Sequence, residues 1–415
     1  MVDGSAPAPS PAVPPTGARW VTLDVLRGVA VMAILLANLP GFALPDPAYS
    51  NPIAWGGARS IDRASWFLNE VFVNGRMRGL FSLLFGASTL LILQRADAAG
   101  RNGASIHLRR MAVLFLFGLL HLTFIWTGDI LAHYALVGVI ALGFVGLGTR
   151  GLFWTAIAMA GLSMAMGWLE CFGLLAAAAR DTPQSAALWN LYQAAFGTPA
   201  PSQLLPEIAA MRGSWATATA FRLENNGNPL LDLIQIGPDT LGAMLLGMAA
   251  LKSGFLTGQW SRRAYRRCAA ITIPLACGAY AAMALAIMAS DYDVRAVALV
   301  ELFLNIPFRL IGTVGYAALI LLLLTPGGWW TTRIAAAGRM AFSNYLATSV
   351  VMTFIFYGHG LGQFARWNRA DLYLLAPPMW ASMLLWSKPW LDRFGQGPLE
   401  RIWRMATNAR LNQAA

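Results

Sequence analysis

Apolar runs of about twenty residues recur along the chain, at 21–43, 77–95, 110–127, 130–149, 151–173, 236–252, 268–290, 307–325, 340–358 and 371–387. Most approach the roughly 17–25 apolar residues a helix needs to cross about 30 Å of hydrocarbon. The runs are continuous, unlike the short alternating segments of a membrane β-barrel. A helix in lipid satisfies its own backbone hydrogen bonds, so the pattern predicts an all-α, polytopic transmembrane helix bundle of about ten spans. Between the first two runs, 44–76 mixes Pro45, Pro47, Pro52, Gly56 and Gly57 with an amphipathic stretch from Trp66 to Asn74, expected as an interfacial or re-entrant helix.

The polar segments divide the chain and orient it. Residues 1–19, rich in Pro, Ala and Ser, read as a disordered cytoplasmic tail, and 406–415 as a closing tail. Segments 20–173 and 236–405 form two transmembrane halves, separated by an extracytoplasmic segment, 174–235, that is expected to pack partly over the mouth of the bundle. Basic residues collect in every second loop, as with Arg101, Arg109 and Arg110, then Arg150, then Arg262 to Arg267. The positive-inside bias then predicts an even number of spans with both termini cytoplasmic.

Composition agrees: 57% of the 415 residues are apolar and 12% charged, against roughly 45–50% and about 25% in soluble domains. The net charge of +11 would suggest nucleic acid in a soluble protein. Here the arginines flank apolar runs without zinc-finger spacing or a base-reading helix, so lipid is the expected partner and nucleic acid is not. Cys171, Cys268 and Cys277 lack metal-ligand spacing and no metal is expected. Oligomerisation stays open.

Charged groups at membrane depth cost at least about 2.5–3.5 kcal/mol and mark candidate sites. Asp24 and Arg27 are three apart on the first run, and Asn38, eleven further on, returns to the same face. The bland reading is a snorkelling arginine with a capping acid. Arg76 and Arg78 fall on the outer side and require an anion: Asp129, Glu70, or a ligand carboxylate or phosphate. Gly79, Gly86 and Ser88 are expected to serve close helix packing. His121, eleven after Arg110, is the general-base candidate, with a buried neutral histidine bonded to a carbonyl as the alternative; His107 is expected in a loop. Asp129 and His133 are four apart, a spacing at which a carboxylate orients an imidazole. Ser343 and Asn344 either bond a ligand or join helices, and Glu170 and Glu301 fall near span ends, where solvation is expected.

Leu23-Asp24-Val25-Leu26-Arg27-Gly28, Arg109-Arg110 through Gly118-Leu119-Leu120-His121 to Gly128-Asp129 with Tyr134, Gly338-Arg339-Met340-Ala341-Phe342-Ser343-Asn344-Tyr345 and Phe394-Gly395-Gln396-Gly397-Pro398-Leu399-Glu400 with Trp403 resemble the YeiB family of bacterial inner-membrane proteins. The likeness runs from about residue 20 to 405, and its C-terminal half resembles that family's domain of unknown function. The first half also resembles, more distantly, transmembrane acyltransferases such as heparan-α-glucosaminide N-acetyltransferase and the type-three acyltransferases. That resemblance implies transfer from cytoplasmic acyl-coenzyme A as cosubstrate to a hydroxyl or amine at the outer side. Asp24, Arg27, Arg109 and Arg110 would then hold the coenzyme; His121, Asp129 and His133 would be catalytic; Arg76, Arg78, Asn38, Asn344 and Tyr345 would bind the acceptor. Asn38 replaces the histidine that the type-three enzymes carry late in the first span, so His121 is the substitute base. The competing expectations are a transporter for a small anionic solute, with Arg27, Arg76, Arg78, His121 and Asp129 along its path, and a structural partner whose polar residues lock helices.

Overall fold

The computed structural model describes residues 20–225 and 228–408; the expected tail 1–19, and that at 406–415 beyond residue 408, lie outside them. Among the described residues every regular element is helical. The first half comprises α1 (Val21–Ala43), α2 (Ser60–Phe72), α3 (Arg76–Ala98), α4 (Gly103–Phe124), α5 (Leu131–Ala141) and α6 (Thr149–Ala178). Short helices follow: α7 (Pro183–Phe196), α8 (Pro201–Arg212), α9 (Trp215–Asn225) and α10 (Pro229–Gln235). The second half holds α11 (Gly237–Lys252), α12 (Arg262–Ala289), α13 (Val294–Leu299), α14 (Ile306–Leu323), α15 (Trp329–Arg339), α16 (Ala341–Phe356), α17 (Arg369–Leu372), α18 (Ala376–Phe394) and α19 (Pro398–Asn408).

Each apolar run lies on a helix, so the protein is a helical membrane bundle, but the span count differs from the expected ten. Among the described residues six helices are long and apolar enough to cross, with Ser60–Ala98 counted as one, or seven if α10 and α11, bent by 69°, form one broken span. The shortfall lies in α5 and α16, too short to cross alone, and in the last run, which is interrupted before α18.

Close backbone crossings hold the bundle. A Cβ on Gly28 of α1 would lie 2.0 Å from the Ile334 carbonyl oxygen, and one on Gly338 of α15 would lie 1.9 Å from that of Asp24. Two of the distinctive sequence blocks thus meet backbone to backbone, which only glycine permits. Gly86 of α3 and Gly247 of α11 make a second such crossing, against the Met244 and Leu83 carbonyls. Outward, α6 exposes Phe153, Trp154, Leu162, Trp168, Leu169 and Phe172, the apolar surface that lipid requires. Segment 174–235 is largely helical and docks on the end of α4: buried Arg222 donates to the carbonyls of Thr123 and Phe124, and Trp215 Nε1 donates to Phe124 O at 3.0 Å.

Candidate functional site

A cavity of about 1100 Å³ runs inside the bundle, at the upper end of the roughly 300–1,000 Å³ of ligand pockets. It is bordered by α3 from Gly75 to Arg95, a length of roughly 30 Å at 1.5 Å per residue. It therefore follows almost the whole of that helix.

At the Arg95 end it is basic, bordered by Arg27, Arg95, Arg110, Arg339 and Arg404. Arg27 donates to Asp24 at 3.2 Å, the pairing expected from their spacing, and to Ser88 Oγ at 2.5 Å. Ser88 is thus a polar partner, not simply a small packing residue. The Arg110 guanidinium lies over the Trp403 ring, 4.3 Å from its centroid, and Trp403 Nε1 donates to Arg110 O at 3.2 Å. The helix α19 is fastened there by Glu400, which accepts from the backbone N–H groups of Phe342 and Ser343 at 2.9 and 3.1 Å and from Ser343 Oγ at 2.5 Å. A carboxylate at the start of α16 satisfies donors that a helix leaves unpaired. Arg109 is half-buried outside this lining.

Midway, Asn38, Asp129, His133, Tyr134 and Tyr345 border the cavity. His121 lies behind Asp129, 1% exposed, with the ring centroids of Tyr345 and Trp126 at 5.5 and 6.3 Å. Its Nδ1–H donates to Asp129 Oδ1 at 2.8 Å, and the Ala132 N–H donates to Asp129 Oδ2 at 2.9 Å. A carboxylate can only accept, so Nδ1 is the donor, and in the neutral ring Nε2 is the nitrogen left to accept. Among the described residues Nε2 has no protein partner. The expected four-residue pairing of Asp129 with His133 does not form: Asp129 precedes α5 and caps it, while His133 Nε2 bonds Thr240 Oγ1 at 2.9 Å. His107, expected in a loop, is buried on α4 with Nε2 bonded to Gly138 O at 2.9 Å.

The Gly75 end holds both signs of charge. Asp239 Oδ2 accepts from Arg78 Nη2 at 3.1 Å and Arg309 Nη1 at 2.5 Å. Arg309 Nη2 donates to Asn305 Oδ1 at 2.8 Å, and Asn305 Nδ2 to Glu301 Oε2 at 3.3 Å. Arg78, Arg309 and Glu301 border the cavity, as do Asp46 and Asp232. The counter-charge of Arg78 is therefore Asp239, not Asp129 or Glu70, and Glu301 faces the cavity although its place near a span end suggested solvation. Arg76 is fully buried away from the cavity, with its guanidinium 3.8 Å from the Tyr280 ring centroid and a bond to the Glu70 carbonyl. Asn344 also lies outside the lining, joined to Ala337 O at 3.0 Å, Ser387 Oγ at 3.2 Å and Trp386 Nε1 at 2.9 Å, so of its two readings the helix-joining one is seen. Asp239 escaped notice in the sequence although an acid inside an apolar run was the available signal.

Outside the spans, Asp46 N–H is shared by Glu207 Oε1 and Oε2 at 3.2 and 3.3 Å. Desolvation, and then the neighbouring Asp46 charge, push the Glu207 carboxyl up to about 8; desolvation raises Asp46, an exposed residue on the cavity wall, as well. Among the described residues no three His, Cys, Asp or Glu side chains gather as a metal site would need.

Residues 250–410 match the family model described as "Protein of unknown function (DUF418)". The chain is 33% identical to the uncharacterized protein YeiB of Escherichia coli (strain K12), over 94% of this chain and 96% of that one. It is 29% identical to the uncharacterized protein YxaH of Bacillus subtilis (strain 168), over 94% and 95% of the two. No solved structure matches.

Proposed function

The chain belongs to the YeiB family, and from that premise we propose that it is a multi-pass acyltransferase of the bacterial inner membrane, passing an acyl group from cytoplasmic acyl-coenzyme A to a hydroxyl or amine at the outer side. One observation carries the reading: a single cavity joins an arginine-rich end to Asp129, the carboxylate that holds His121. By the positive-inside bias the basic end is the cytoplasmic one, and both termini lie there. Arg27 and Arg110 meet the phosphates of the donor, whose acyl arm follows α3 towards Asp129.

In this reading the acceptor O–H or N–H gives its proton to His121 Nε2 while its O or N attacks the thioester carbonyl. The C–S bond breaks, and the thiolate leaves with that proton. Asp129 keeps the ring in the required tautomer and stabilises it when charged. Because His121 lies behind the wall, a side chain of the wall has to move for an acceptor to reach Nε2. The test is release of free coenzyme A from acetyl- and longer acyl-coenzyme A by protein in nanodiscs. The expected result is turnover that His121→Asn abolishes and Arg110→Gln weakens through KM. No binding or turnover with any short-chain donor, together with solute movement in liposomes, overturns it.

The broken α10–α11 pair favours a second reading, transport of a small anionic solute, because interrupted helices line the sites of many transporters. Asp239 sits just past that break and is held by two arginines. Flux that survives His121→Asn and fails in Asp239→Asn would select this reading over acyl transfer.

A further inference from the structure

The Gly75 end of the cavity presents opposite charges to the same space. Arg78 and Arg309 share one oxygen of one carboxylate, Asp239 Oδ2. Glu301, joined to Arg309 through Asn305, is the second acid beside them, so two arginines are set against two acids. Arg309 is 7% exposed, borders the cavity, and its Nε has no partner among the described residues. The nearby Glu70 does not border the cavity and is engaged by Asn74 Nδ2 at 2.7 Å. An anionic group entering here would find two arginines on the cavity wall.

Glu301 faces the same space and accepts a 3.3 Å bond from Asn305 Nδ2. Its element is unusual. Val300–Leu304 is a π-helix, a form that is rare and frequent at functional sites. Its shape is fixed from behind, since a Cβ on Gly167 of α6 would lie 1.8 Å from the Leu302 carbonyl oxygen. A ligand of one charge meets a like charge in this chamber, whether from the arginines or from Glu301. A ligand carrying both charges satisfies both sets.

We infer that this chamber is a binding site for a small zwitterion, whose acidic group is held by Arg78 and Arg309 and whose primary amine is held by Glu301. The inference rests on the acyl-transfer reading only in making this zwitterion the acceptor, which narrows hydroxyl or amine to amine. The ammonium first gives one proton to Glu301 and attacks as the free amine; the C–S bond breaks, the thiol leaves with the second N–H proton, and the neutral amide no longer pairs with Glu301 and is released. The same pair of groups occurs in free phosphoethanolamine and in the headgroup of phosphatidylethanolamine.

The experiment is calorimetric titration of the full chain in phosphatidylcholine nanodiscs, with no acyl donor present. The probes are β-alanine and phosphoethanolamine, against N-acetyl-β-alanine, ethylamine and inorganic phosphate. The expected result is binding of at least one zwitterion tenfold or more tighter than of any single-charge probe. Glu301→Gln, which keeps the length of the side chain and its Asn305 contact, should erase that discrimination while the melting temperature stays within error. Binding in phosphatidylcholine with competition by phosphatidylethanolamine would assign a headgroup as a source, whereas binding without competition would assign the free molecule. Equal affinity for phosphate and the zwitterions, unchanged discrimination in Glu301→Gln, or no zwitterion binding in any nanodisc overturns the inference. Since no donor is used, that failure is read separately from a failure of acyl transfer.

Discussion

The two ends of the cavity are both built on arginine, yet they neutralise it by different means. At the basic end Arg110 rests on the Trp403 ring and Arg27 is shared between Asp24 and the hydroxyl of Ser88. At the other end Arg78 and Arg309 converge on the carboxylate of Asp239, itself 5% exposed. Arg110 is placed by a ring and Arg27 by one carboxylate of its own turn, whereas at the far end two arginines share a single acid. Removing that acid takes the counter-charge from two guanidinium groups at once. The basic end thus holds its arginines singly, and the far end holds them together.

This contrast can be broken most directly at Asp239. Asp239→Ala should destabilise the protein by about 3–5 kcal/mol, the cost of unpairing a buried ion pair, seen as lost thermal stability in detergent. A change no larger than that of Arg27→Gln would erase the distinction between the ends. His121→Asn is expected to lower acyl transfer by about 10²–10⁴-fold while leaving the melting temperature unchanged; a fall in both would make the Asp129 pair a packing element. Next comes the crossing of α1 and α15: Gly28→Ala should cost about 1–3 kcal/mol through backbone overlap, and it should impair both ends alike. Arg110→Gln should raise the donor KM about tenfold, the scale of one charge-assisted hydrogen bond, with little change in melting.

The smallest effect concerns pH. The Glu207 carboxyl is raised from 4.5 to about 8 in the folded protein. Over that window the folded state binds more protons than the unfolded one, so this group's contribution is intact below 4.5 and is lost as pH rises through 8. Glu207→Gln should therefore raise the melting temperature at pH 8 by about 2 °C relative to the parent and leave it unchanged at pH 4.5. An equal effect at both values would refute the assignment.

How much of this could be read from the sequence followed locality. The apolar runs were legible because lipid imposes one length and one composition on a spanning helix. Asp24 and Arg27 were legible because a three-residue spacing on one helix fixes their contact. The same rule misdirected Asp129 towards His133: the turn at Gly128 reverses the chain, and the carboxylate meets the preceding helix at His121. The partner of Arg78 is 161 residues away, beyond any rule of spacing. Glu301 looked like a solvated span end because a π-helix, which aims it elsewhere, leaves no periodic signature in so short a stretch. Arg76, two residues from Arg78 and of the same type, turned out to be packed on Tyr280. Residues i and i+2 leave a helix in different directions.

The stacking of Arg110 on Trp403 has an optical consequence. An indole beneath a guanidinium emits in a field that changes when an anion draws that cation away, so the mouth carries its own fluorophore. With 16 tryptophans in the chain, the signal is the difference between parent and Trp403→Phe emission as donor is added. That subtraction would report occupancy in real time without a label.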